Sequence, residues 1–130
     1  MSVKIKAVKR VNPQDVTLPQ KYYAIAVADG RTDLKRLAKL IAMQCTVNRA
    51  DCLAVLAALE DNIIMELQEG RVINLGELGT FQLGISAVGQ ATADLVDGST
   101  VTKARLNFRP GEELKKMLDT LTYKKEALSA

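Results

Sequence analysis

Gly70-Arg71-Val72-Ile73-Asn74-Leu75-Gly76-Glu77-Leu78-Gly79-Thr80-Phe81-Gln82-Leu83-Gly84-Ile85 is the stretch on which the fold turns. Val72-Ile73-Asn74-Leu75 is a short run that opens on two β-branched residues, and Gly76-Glu77-Leu78-Gly79 follows as a turn. From Thr80 the period is two, with Phe81, Leu83 and Ile85 on one side. The spacing predicts a β-hairpin whose connection, bracketed by Gly76 and Gly79, needs positive φ.

Upstream of that hairpin the period becomes helical. Asn48 is a good N-cap with Asp51 three residues later, close to a capping box, and Gly70 stands where a C-terminal glycine belongs, so a helix is expected over 49–69. Its first half, from Ala50 to Leu59, is apolar almost all round. A two-layer monomer of this size hardly covers such a helix, which points to a dimer core; the alternative is a central helix wrapped by the chain's own elements. Before it, Thr32 as N-cap and Asp33 in the first turn precede Leu34, Leu37, Ala38, Ile41 and Ala42 on one apolar face. Lys35, Arg36 and Lys39 then form a solvated face. The first 31 residues read as an extension with strands. Val3 to Val11 alternates, Asn12-Pro13-Gln14-Asp15 breaks it, and Tyr22 to Val27 is a second strand closing at Asp29-Gly30.

Downstream, Ala87 to Thr102 is polar, small and glycine-containing: a long loop, or a hairpin that leaves the body with its tip near Asp97-Gly98. The return strand runs over 103–109, where alternation sends Ala104, Leu106 and Phe108 inward and Lys103, Arg105 and Arg109 outward as a basic stripe. Pro110-Gly111 opens a third helix with Glu112 and Glu113 in its first turn and Leu114, Met117, Leu118 and Leu121 as its buried stripe. Residues 122–130 read as a C-terminal tail.

Composition narrows the function. With 130 residues, 48% of them apolar, the chain suits one compact domain, or one domain with an attached arm, and not a disordered segment. No apolar run of about 18 residues spans a membrane, and the N-terminus lacks a secretory h-region, so a cytoplasmic protein is expected. Cys45 and Cys52 read as small buried hydrophobes, and the absence of histidine rules out a histidine-containing zinc site or catalytic triad. Glu60, Asp61 and Glu66 fit a solvated helix face, and no phosphate-loop pattern follows the glycines. No catalytic residue, cofactor or small-molecule substrate is expected. A net charge of +3, from 18 basic and 15 acidic residues, permits nucleic-acid binding without arguing for it.

The order helix, helix, hairpin, protruding segment, return strand, short helix resembles the bacterial HU/IHF histone-like family. In that family a Gly-x-Gly-Thr-Phe hairpin follows the second helix and a Phe-basic-x-Gly turn begins the last one. The specific matches are Gly70, Gly79-Thr80-Phe81 and Phe108-Arg109-Pro110-Gly111, within a resemblance covering 32–121. The leading strands look like the N-terminal extension of a divergent Bacteroidetes branch. The resemblance implies an α+β, intertwined homodimer with a helical base and two β-ribbon arms, here over about 84–104, that embrace duplex DNA through the minor groove. It implies an architectural, nucleoid-associated role: binding with little sequence specificity, and bending by an apolar wedge at each arm tip. The expected phosphate contacts are Lys103, Arg105, Arg109, Lys115 and Lys116, of which Arg109 and Lys115 match basic positions of the family, and Leu95 or Val96 is the candidate to replace the family's arm-tip proline as wedge. The chain departs from the family where DNA is touched. The arm-tip Arg-Asn-Pro is missing, and Ala87 to Thr102 has no lysine or arginine but carries Asp94 and Asp97. Gly84 and Ser86 stand where the family tends to place arginines, and Glu112 where it often has lysine. The alternative reading is therefore a dimeric HU-like scaffold that captures a protein partner instead of DNA, through Tyr22, Tyr23 and the leading strands.

Overall fold

In the computed structural model, residues 2–10, 13–14 and 17–126 are described. Val11, Asn12 and Asp15 of the expected first strand and break, and 127–130 of the expected tail, lie outside them. The fold is mixed α+β: β1 (Val3–Arg10), β2 (Lys21–Val27), α1 (Leu34–Gln44), α2 (Arg49–Gln68), β3 (Ile73–Asn74), β4 (Gly79–Ala87), β5 (Val101–Pro110), α3 (Glu112–Asp119) and β6 (Tyr123–Lys125). The chain divides into two units, Met1–Thr32 with Leu118–Ala130, and Asp33–Met117.

In Asp33–Met117, α1 and α2 pack on each other and three strands pair in the order β3-β4-β5. Helix α1 starts one residue later than expected. Asp33, not Thr32, is the N-cap, and its carboxylate accepts the Arg36 N–H at 2.9 Å. A charged acceptor at the positive end of the helix dipole outcompetes a neutral hydroxyl one residue earlier. Asn48 caps α2 as read, its Oδ1 accepting the Asp51 N–H at 2.8 Å. The return bond of this box runs from the Asn48 side-chain amide to the Asp51 carboxylate at 2.9 Å, because aspartate is too short to reach back to the cap's backbone. At the other end the Gly70 N–H donates to the Leu67 carbonyl (2.9 Å) and the Arg71 N–H to that of Glu66 (3.1 Å), the Schellman pair.

The hairpin read from the sequence is present. Gly76 to Leu78 forms a 3-10 turn, the Leu75 N–H donates to the Gly79 carbonyl at 2.8 Å, and φ is positive at Gly76 and Gly79. Gly79 also has no room for a side chain: a Cβ there would lie 2.3 Å from the Arg109 carbonyl oxygen and 2.8 Å from the Phe108 ring. The Gly111 N–H donates to the Leu78 carbonyl at 3.1 Å, tying the start of α3 to this turn.

The apolar residues of this unit are mostly uncovered. Among the described residues only Ala38 and Cys52 are buried apolar side chains. Cys45, expected to be buried, is exposed: it is the C-cap of α1, in extended conformation beyond the packed turn. Val55, Leu59, Ile64 and Met65 of α2 are all exposed in the single chain.

In the other unit, β1 pairs antiparallel with β2 and parallel with β6, giving the order β2-β1-β6. The tail expected from residue 122 thus includes a strand. The Val3 N–H donates to the Thr122 carbonyl and the Glu126 N–H to the Ile5 carbonyl, each at 2.8 Å. Three residues are too short for a readable period, and the edge of β1 supplies the pairing instead.

Candidate functional site

The basic stripe lies on the β4–β5 hairpin, and the register defines its face. Thr80 stands opposite Arg109, Gln82 opposite Asn107, Gly84 opposite Arg105 and Ser86 opposite Lys103. Directly opposed residues share a face, so one side of the hairpin carries three cations, interleaved with hydroxyls and amides and with no carboxylate. The reverse side pairs Phe81 with Phe108, Leu83 with Leu106 and Ile85 with Ala104. Its two phenyl rings are tilted with centroids 5.0 Å apart. The expected inward residues do share this face, but Leu106 and Phe108 remain 53% and 48% exposed.

Gly84 and Ser86, which break the family's basic pattern, hold Arg105 in place. A Cβ on Gly84 would lie 2.9 Å from the Arg105 Nε and 3.0 Å from its Cζ, so the guanidinium crosses the strand over the missing side chain. The Arg105 Nη1 donates to the Ser86 Oγ at 3.2 Å. Thr80, Gln82, Asn107 and Arg109 line a hollow together with Phe108. Gln82 and Asn107 escape the sequence reading, although counting in twos from Arg109 reaches Asn107 directly.

Lys115 and Lys116 are on α3, outside this face. Lys116 lies 3.6 Å from the Glu113 carboxylate, which compensates its charge in part. The structure brings Lys103, Arg105 and Arg109 together on the hairpin, and the two helix lysines belong to a different element.

A match to protein families covers residues 1–125, to HU-HIG, described as an HU domain fused to a winged helix-turn-helix, an immunoglobulin-like or a glycine-rich motif. The chain belongs to the HU-HIG family. The match takes in the N-terminal strands and β6 as well as the resemblance over 32–121. A crystal structure from Bacteroides vulgatus, described as a candidate bacterial DNA-binding protein, is similar with a TM-score of 0.65 and 14% identity over 98% of this chain. The chain spans 50% of the length of that structure. No curated protein matches.

The far end of this HU-HIG hairpin folds back on itself. Pairing reaches Ala87 and Val101 with an irregularity at Ser86/Ala87, and the Val88 N–H donates to the Thr100 carbonyl at 2.9 Å. Ala93–Leu95 and Gly98–Thr100 are 3-10 turns, the second capped by Asp97, which accepts the Ser99 N–H at 2.9 Å. The Ser99 hydroxyl and backbone N–H hold the Asp97 carboxyl below the ordinary aspartate range, so the tip is anionic at neutral pH. Leu95 and Val96 are exposed beside it. No helix among the described residues is long and apolar enough to cross a membrane, and no cluster of potential metal ligands occurs among them.

Proposed function

We propose that this chain is an architectural DNA-binding protein that acts as a homodimer, binds duplex DNA with little sequence specificity and bends it at the nucleoid. The observation that carries the reading is the β4–β5 register, which gathers Lys103, Arg105 and Arg109 on one carboxylate-free face. Membership of the HU-HIG family supports it, as does a fold shared with a chain described as a candidate DNA-binding protein. Cations spaced along a strand neutralise phosphates and release counterions, a grip that reads no bases. Lys115 and Lys116 add phosphate contacts in the dimer, and Leu95 or Val96 serves as the apolar wedge at a kinked step.

The homodimer rests on the uncovered apolar surface. The Phe108 face of the hairpin and the Val55 and Leu59 side of α2 are exposed in one chain. Such faces require a partner, and a second copy supplies matching ones.

Fluorescence anisotropy of a labelled duplex tests the site. Replacing Arg105 and Arg109 together by alanine is expected to weaken binding at least about tenfold and to flatten the salt dependence by about 0.9 for each phosphate no longer neutralised. Unchanged affinity and slope would remove the hairpin from the interface. The second reading, a scaffold that captures a protein, is favoured by the anionic tip without lysine or arginine, and it leaves duplex binding absent even at low salt.

A further inference from the structure

The basic excess of the chain is not in the unit that carries the hairpin. Residues 1–32 and 118–130 hold eight lysines and arginines against four acids, a net of +4, whereas Asp33–Met117 holds ten against eleven, a net of −1. Strands β1, β2 and β6 alone carry seven basic residues and no aspartate or glutamate. A solvated strand normally mixes both signs, because like charges at short range repel.

The register sorts these charges by face. Arg10 stands directly opposite Lys21, and Lys4 opposite Lys124. By the two-residue period Lys6 shares their face, together with Tyr23 and Ile25. Asp29 compensates Lys4 at 3.2 Å. Lys6, Arg10, Lys21 and Lys124 are exposed, and none of them belongs to an ion pair among the described residues. A like-charged pair such as Arg10 and Lys21 is destabilising unless an anion lies between its members. The two also line an open hollow of about 710 Å³ with Tyr23 and Ile25. Lys6 and Arg10, four residues apart on one strand, are separated by about 13 Å. That is the axial length of about four base pairs, so a polyanion with regularly spaced charge matches the row.

We infer that the face of the β2-β1-β6 sheet carrying Lys6, Arg10, Lys21 and Lys124 is a second phosphate-contacting surface for duplex DNA. The inference rests on the proposed DNA-binding reading and adds to the hairpin a separate set of cations, supplied by the most basic unit of the chain. Repeated along the duplex, such phosphate contacts add affinity without base recognition.

The test uses the full chain and three variants in salt-titrated anisotropy with a labelled duplex, beside co-sedimentation with phosphatidylserine-rich vesicles. In one variant Lys6, Arg10, Lys21 and Lys124 become glutamine; in another Lys6, Lys21 and Lys124 become arginine; the third is R105A/R109A. The glutamine variant is expected to bind duplex at least about tenfold more weakly, with a slope shallower by about 0.9 for each phosphate left unneutralised, while the arginine variant binds as the unmodified chain. Wild-type affinity in the glutamine variant overturns the inference and leaves the hairpin reading standing. An equal loss in the glutamine and arginine variants also overturns it, by showing a structural defect, as does a loss confined to vesicles. If the glutamine variant alone loses duplex, the inference holds and the hairpin site falls. An unmodified chain that ignores duplex at low salt removes both.

Discussion

At Gly84 the absence of a side chain leaves room for Arg105. The Arg105 guanidinium occupies the space a Cβ would take, and the Ser86 hydroxyl accepts its Nη1 hydrogen bond. The two residues that look like losses in the sequence thus make room for Arg105 and hydrogen-bond it. Gly84→Val is expected to displace Arg105 and weaken duplex binding several-fold. Stability should change by no more than about 1 kcal/mol, because the atoms in the way are the outer ends of the Arg105 and Asn107 side chains and valine suits a strand. Anisotropy alongside a thermal melt separates the two effects, and unaltered binding would show that the crossing of Arg105 over Gly84 is incidental. Single residues are legible where chemistry is local: Asn48 and Gly70 cap α2 as their types require. They are less so where neighbours compete, as at Thr32 and Asp33. Cys45 departs from expectation because apolar character alone does not tell a packed turn from the residue just beyond it.

The β4–β5 hairpin is readable because one element carries two chemistries at period two. Lys103, Arg105 and Arg109 mark its basic face, and Phe81, Leu83 and Ile85 its apolar face. What the period does not say is whether the apolar face is covered. Leu106 lies on that face and is 53% exposed in the single chain. Leu106→Asp is therefore expected to cost a monomer little but to convert a dimer to monomer in sedimentation equilibrium, since a carboxylate buried at an apolar interface is strongly penalised. A variant that remains dimeric would place the subunit interface elsewhere. Strand β6 is illegible for a different reason. Tyr123-Lys124-Lys125 is too short to show alternation, and its partner β1 lies at the opposite end of the chain. Pairing at that separation leaves no local signal.

For the molecule as a whole, a net charge of +3 conceals a division into a basic unit and a slightly acidic one. The total makes no case for nucleic acid; the partition, visible once strand pairing joins the two ends of the chain, does. The HU-like order of elements is readable over 32–121, and the family match extends to residues 1–125, including the strands that carry the positive charge. Two groups of basic residues, on the hairpin and on the β2-β1-β6 sheet, stand in contrast to a β4–β5 connection that carries Asp94 and Asp97 and no lysine or arginine. The most direct measurement is the salt dependence of duplex binding by the unmodified chain, followed by anisotropy at several salt concentrations. A linear fall in log affinity against log salt, with a slope of about −4 or steeper, is expected of a dimer that neutralises several phosphates; no binding at low salt, or binding indifferent to salt, would contradict the account.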